Sequence, residues 1–284
     1  MRRDYILTLS CPNRIGIVFA VARFLAEAGW NIVDSAQFDD QASDRFFMRV
    51  AFEASAPGES LEGLRRRFQA VAADFAMDWR IEDAQRRARV VILVSRFDHC
   101  LHDLLYRHSV DELPIDIPAV VSNHEQARRL ADHHGVVFHH WPVTPQTKAD
   151  QEERLLGLLH GTQADVLVLA RYMQVLSDDL CARLPCPAIN IHHSFLPSFK
   201  GARPYHQAHA RGVKLIGATA HYVTPDLDEG PIIAQAVRPV THAQTPDALV
   251  RVGRDVEKTV LAEALRLHIE QRVLRNGVRT VVFA

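Results

Sequence analysis

Cysteine is scarce: Cys11, Cys100, Cys181 and Cys186 are the only four in 284 residues. So few thiols in so long a chain make no disulfide framework, and no paired Cys-x-x-Cys or HExxH motif marks a metal site. No apolar run approaches the ~20 residues that a membrane-spanning helix needs. Neither charge is in excess. With 33 basic and 34 acidic side chains the formal net charge is -1, which gives no global attraction to nucleic acid or to anionic lipid. Met1-Arg2-Arg3-Asp4 leads into a strand-like stretch instead of a signal-peptide core. These absences describe a cytoplasmic, reduced chain with no nucleic-acid and no membrane partner. What is present is globular: 48% hydrophobic and 24% charged residues exclude disorder, and the length suffices for two cores of ~100–200 residues each.

The periodicity of apolar residues changes once along the chain. After a short strand at 5–9, Ile17, Val21, Phe24, Leu25 and Ala28 recur at helical spacing, and Gly29 ends the run. Phe46, Met48, Val50 and Phe52 alternate as in a strand; Leu61, Leu64, Phe68, Val71 and Phe75 return to helical spacing; Met77, Trp79 and Ile81 alternate again. The order β-α-β-β-α-β makes a ferredoxin-like sheet with both helices on one face. Residues 1–83 form this first domain and the polar stretch 84–89 is the linker. From 90 to 284 the texture is different. The aliphatic run 90–94 reads as a strand buried on both faces of a parallel sheet. Strands near 117–121, 136–138, 166–170 and 188–192 then alternate with helices at 125–134 and 148–159. This is a doubly wound, mostly parallel α/β domain. Strands at 218–223 and 232–237, a long helix over 246–271 and a strand at 278–283 complete it.

Polar residues are densest at the end of the 188–192 strand, in Asn190-Ile191-His192-His193-Ser194-Phe195-Leu196-Pro197. A period of two puts Asn190 and His192 on one side of the strand, at the carboxyl end where open α/β sheets bind ligands. A second cluster runs from Gly217 through Thr219, His221 and Thr224 to Asp226, Asp228, Glu229, Gly230 and Pro231: a strand, then a turn rich in carboxylates. An amide donor, an imidazole and a carboxylate have complementary roles towards a carbonyl group: stabilising an oxyanion, carrying protons, and orienting the base. Spacing alone fits equally a hydrogen-bonded strand end followed by an Asp-rich turn.

Those two segments, with Gly201-Ala202-Arg203-Pro204-Tyr205-His206 between them, closely resemble the superfamily of enzymes that transfer or hydrolyse the formyl group of N10-formyltetrahydrofolate, and within it the formyltetrahydrofolate deformylases. The likeness implies a formyltransferase-like catalytic domain in which Asn190, His192 and Asp228 are catalytic, with Thr219 and His221 as supporting strand positions. It places Tyr172, Met173, Gln174, Val175 and Leu176, which follow Arg171, along the pterin, and Val223, Thr224 and Asp226 on the opposite wall. The first domain resembles an ACT domain, a small-ligand regulatory module, through Cys11-Pro12-Asn13-Arg14-Ile15-Gly16 and Gly29-Trp30-Asn31-Ile32. By that likeness Asn13, Ile15, Gly16, Asn31 and Ile32 border an effector site, with glycine or methionine as the amino acid, and ACT domains pairing edge to edge imply a homodimer or homotetramer. The implied reaction is hydrolysis of 10-formyltetrahydrofolate to tetrahydrofolate and formate, which supplies formate for purine biosynthesis and balances the one-carbon folate pool. The folate is the substrate, and no cofactor is permanently bound.

Three other readings compete. Glycinamide-ribonucleotide transformylases hold a substrate phosphate on a glycine-rich turn after their first strand; here that turn is Ser95-Arg96-Phe97-Asp98-His99-Cys100, with no glycine. An amino-acid-sensing ACT protein with an inactive folate-binding domain would have no need of Asn190, His192 and Asp228 together. The 16 histidines suggest a metal, but adjacent pairs such as His192-His193 point apart in a strand, whereas His206 and His209, three apart on a helix, could share one. No metal is expected. Lys200, Gly201, Arg203 and His206 fit a lid near the folate tail or a surface loop.

Overall fold

A computed structural model of the chain describes residues 4–54, 60–198 and 204–283. Lys200, Gly201 and Arg203 of the expected lid lie outside the described residues. The chain divides into two compact units, Met1–Arg86 with Leu267–Ala284, and Arg87–Arg266.

The first unit is built from β1 (Tyr5–Pro12), α1 (Ile17–Glu27), β2 (Trp30–Asp40), β3 (Arg45–Ala54), α2 (Leu61–Asp74) and β4 (Asp78–Asp83). The four strands form one sheet in the order β2-β3-β1-β4, with β1 antiparallel to both β3 and β4. Leu7, Leu9 and Cys11 of β1 alternate with residues on the other face and meet Val21 and Leu25 of α1 and Leu64 and Phe68 of α2 in one core. This is the expected βαββαβ arrangement.

The second unit is centred on a seven-stranded sheet. Its elements are β5 (Ala88–Val94), α3 (His99–Ser109), β6 (Ile115–Ser122), α4 (Arg128–His133), β7 (Phe138–His140), α5 (Lys148–Gly161), β8 (Val166–Ala170), α6 (Asp178–Arg183), β9 (Ala188–His192), α7 (Pro204–Ala210), β10 (Leu215–Tyr222), β11 (Ile232–Pro239) and α8 (Pro246–Ile269). The order is β11-β10-β9-β8-β5-β6-β7, parallel from β9 to β7 and antiparallel at β10 and β11. Val90 to Val94 are fully buried, because helices cover both faces of the central strands.

The chain ends in a hairpin, β12 (Val273–Asn276) and β13 (Arg279–Val282). The sequence reading runs the second domain to residue 284, whereas the structure groups Leu267–Ala284 with the first unit. Asn276 and Arg279 donate to the Asp40 carboxylate at 2.6 and 2.9 Å. Arg49, fully buried on the sheet face opposite the core, donates to the Glu270 carbonyl at 3.2 and 3.1 Å and to Asp34 at 2.8 Å. Arg49→Met is expected to leave that carbonyl short of donors and to cost about 1–3 kcal/mol. Hydrogen exchange should speed up in the terminal hairpin before the rest of the unit; unchanged protection there would show that the contact does not tether it.

Candidate active site

β9 and β10 bring four polar side chains to one face. In the antiparallel register Asn190 lies opposite His221 and Thr219 opposite His192; opposed residues share a side, and alternate residues of one strand do too. The Nδ1 of His221 meets the Tyr222 carbonyl at 2.9 Å and must donate to it, so in the neutral ring Nε2 is free to accept from Asn190 Nδ2 at 3.2 Å. This leaves the second hydrogen of the Asn190 amide for another acceptor. Thr219 supports the strand end. Its hydroxyl donates to the Ser194 carbonyl and accepts from the Leu196 amide, with Gln235 donating to it at 2.9 Å, so it fixes the loop after His192.

Asp228 reaches the same place from the turn between β10 and β11. The turn folds back because Tyr222 N donates to the Pro231 carbonyl at 2.9 Å and Val223 N to the Ala188 carbonyl at 2.8 Å. Gly230 makes that path possible: a Cβ there would lie 1.7 Å from the Tyr222 carbonyl oxygen. Asp228 has φ 57°, a left-handed conformation that Asp tolerates better than most residues. Its Oδ1 lies 3.2 Å from His192 Nδ1 and 3.7 Å from His221 Nε2. Burial alone would raise this carboxyl, but the His192 Nδ1 hydrogen bond and the positive charge that His192 and His221 bring when protonated outweigh it and hold it well below the usual carboxylate range. The sign follows: Asp228 stabilises the fold fully above pH ~4 and loses that contribution as the pH falls further. A kcat/KM profile is therefore expected to show no limb from this carboxylate above pH ~4; a limb there that Asp228→Asn removes would contradict it.

His192 donates from Nδ1 to Asp228, while its Nε2 is buried with no hydrogen-bond partner among the described residues. Beside it opens a cavity of about 400 Å³. Its lining includes Asn190, His192, His221 and Asp228 together with Tyr172, Met173, Gln174, Val175 and Leu176 and with Val223, Thr224 and Asp226. Tyr172 and Leu176 are also part of the core packed on β8 and α5. Burial pushes the Tyr172 phenol up to about 12, so it stays protonated, accepting from Gln151 at 3.3 Å. Met173 and Val175 are half-exposed apolar side chains, a surface suited to a flat ring.

Residues 88–265 match the formyl transferase family model and residues 5–67 the ACT domain model. A formyltetrahydrofolate deformylase of Corynebacterium sp. (strain P-1) is 51% identical over 278 residues, which is 98% of this chain and 97% of that protein. The crystal structure of formyltetrahydrofolate deformylase from Burkholderia mallei superposes with a TM-score of 0.94 at 52% identity over the whole of both chains. This chain belongs to the formyltetrahydrofolate deformylase family. Glycinamide ribonucleotide transformylase 1 from Symbiobacterium toebii matches 70% of this chain and 95% of its own, with a TM-score of 0.63 and 31% identity.

The residues that the ACT likeness implies for an effector fall in the first unit. There Asn13 is exposed after β1 with its amide on the Asp44 carbonyl at 3.0 Å, Ile15 is fully exposed, and Gly16 caps α1 at φ 98°. Asn31 and Ile32 open β2, Asn31 donating to Glu53 at 3.3 Å and Ile32 packing on the core. His206 and His209 fall on α7. Among the described residues the group whose ligand atoms converge is His99, Cys100 and Glu257. Its carboxylate already carries the His99 ring at 2.9 Å, Tyr205 OH at 2.7 Å and the Arg171 guanidinium at 3.3 Å, so a cation is already seated there. Burial raises Cys100, Cys181 and Cys186, which suits packed thiols rather than nucleophiles. Glu257 has no place in the site read from the sequence, and Arg171 enters it only as the first residue of the segment that the resemblance sets along the pterin. Glu257 leaves a trace, since it falls in the buried stripe of α8 with Gly253, Val260 and Leu261.

Proposed function

We propose that the chain hydrolyses 10-formyltetrahydrofolate to tetrahydrofolate and formate. The observation that carries this is the His192–Asp228 pair facing a cavity between two loops, with the unpartnered Nε2 of His192 turned away from the carboxylate. Both groups line the cavity, and with its Nδ1 already held by the carboxylate the imidazole is the group assigned to take a proton at Nε2. Water attacks the formyl carbon as His192 Nε2 accepts its proton. Asp228 holds the ring through Nδ1 and balances the imidazolium, and the free hydrogen of the Asn190 amide binds the developing oxyanion. Collapse breaks the bond from carbon to N10 and the proton on Nε2 passes to N10, releasing tetrahydrofolate and formate. The formate supplies purine biosynthesis and the reaction balances the one-carbon folate pool.

At the ACT unit the same reading assigns an amino-acid effector, glycine or methionine, and a homodimer or homotetramer in the cytoplasm. Among the described residues no helix is long and apolar enough to cross a membrane. The sensor with an inactive folate domain is disfavoured by the intact His192–Asp228 pair. The deciding experiment measures formate release with and without glycinamide ribonucleotide. Stoichiometric formate in both arms is expected. Formylated ribonucleotide in place of formate would convert the reading to transfer, and no turnover in either arm would favour the sensor.

A further inference from the structure

Strand growth reverses between β5 and β8: β5 leads through α3 to β6 on one side, and the chain later returns to β8 on the other. In open α/β sheets the crevice outside the carboxyl ends at such a switch point receives a ligand. Here polar side chains gather beyond the ends of β5 and β8, one of them, Arg171, on the rim of the cavity beside His192. Ser95 Oγ, just beyond β5, donates to Asn123 Oδ1 at 2.7 Å and accepts from Met173 N at 3.1 Å, tying together the loops after β5, β6 and β8. Arg171 follows β8, and continuing the parallel register from Leu169 opposite Asn190 sets it level with His192. It is 8% exposed, 3.3 Å from the fully buried Glu257 and 5.7 Å over the Phe97 ring. Glu257 is held in turn by His99 and Tyr205. Tyr205 fits against α8 only because residue 253 is glycine, where a Cβ would lie 2.1 Å from its ring.

Two costs show that this filling is more than core packing. Arg171 takes a left-handed φ of 65°, strained for a non-glycine residue, and its Nε and Nη1 are both buried without a hydrogen-bond partner among the described residues, so Glu257 meets it as a charge contact only. A core selected for stability alone would use apolar side chains, since a buried ion pair seldom outperforms them. We propose that Arg171, Glu257, Tyr205, His99 and Phe97 form a plug beside His192 in the space that an amine acceptor would need, and so restrict the attacking group to water. This rests on the deformylase reading and adds the residues that set its choice of nucleophile.

Opening the plug should let a small amine compete. The amine nitrogen bonds to the formyl carbon, the bond from carbon to N10 breaks, and one amine proton ends on N10, giving a formylamide and tetrahydrofolate with no other reactant. The test uses the full-length chain as wild type, as Arg171→Gly/Glu257→Gln and as Phe97→Ala, with 10-formyltetrahydrofolate and glycinamide near pH ~8, where an α-amino group is substantially unprotonated. Glycine suits the backbone at 171, and the paired substitution leaves no unbalanced buried charge. Mass spectrometry reads the ratio of formylglycinamide to formate, which does not depend on the overall rate. Wild type is expected to give formate alone, and the double variant to raise the ratio roughly tenfold or more over the wild-type background, with a smaller rise for Phe97→Ala. A ratio equal to wild type at every amine concentration in a variant that still releases formate overturns the plug, as does formylglycinamide from the wild type. If the double variant is unfolded or inert, the exposed Phe97→Ala decides by the same ratio. Wild type that releases no formate at all rejects the deformylase reading instead.

Discussion

Asp228→Asn is expected to lower kcat/KM for formate release by about 10⁴, the loss found when a carboxylate orienting a base imidazole is made an amide. Asparagine keeps the shape and tolerates the φ of 57°, so the turn survives. What changes is the atom facing His192 Nδ1, now 3.2 Å from a charged oxygen. With the amide nitrogen there, the ring must turn its lone pair to Nδ1 and its proton to Nε2, where it can no longer accept from water. With the amide oxygen there, the tautomer is retained but the imidazolium loses its counter-charge. His192→Ala removes the base itself and should fall in the same range. Steady-state rates near wild type for both variants would eliminate the proposed mechanism, and circular dichroism would separate a chemical loss from an unfolded protein.

Asn190→Ala is expected to reduce kcat by on the order of 10²–10³, as for other single oxyanion donors. The donor acts on charge that appears only as the carbonyl becomes tetrahedral, so the loss should fall on kcat and leave KM little changed. The structure adds a reason for the precision of this donor: one of its hydrogens is already committed to His221 Nε2 at 3.2 Å, which fixes the direction of the other. A rise in KM with kcat intact would instead make Asn190 a ground-state contact and remove it from the oxyanion site.

Much of the fold follows from local pattern. The alternation of Phe46, Met48, Val50 and Phe52 and the helical spacing of Leu61, Leu64 and Phe68 correspond to β3 and α2, and the aliphatic 90–94 run to the buried β5. Period two also places Asn190 and His192 together on β9. The strand read at 278–283 is β13, but the short helix α6 and the partner strand β12 escape such reading. Six residues give too few turns for a helical period to show, and the four residues of β12 pair with β13 only once chain reversal brings them together.

Sequence by itself determined the two layers of periodicity, the strand carrying Asn190 and His192, and the absence of glycine from the turn at 95–100. Only the tertiary structure decided which residues meet across long separations. Asp228 joins His192 from 36 positions away because a turn folds back over a glycine. Arg171 and Glu257, 86 positions apart, meet at 3.3 Å beyond the end of β8. Arg49 selects the carbonyl of Glu270, 221 residues on. Local propensity acts over a few residues, whereas these contacts depend on strand order, register and the placement of a terminal helix, which the whole chain fixes by burying its apolar surface together.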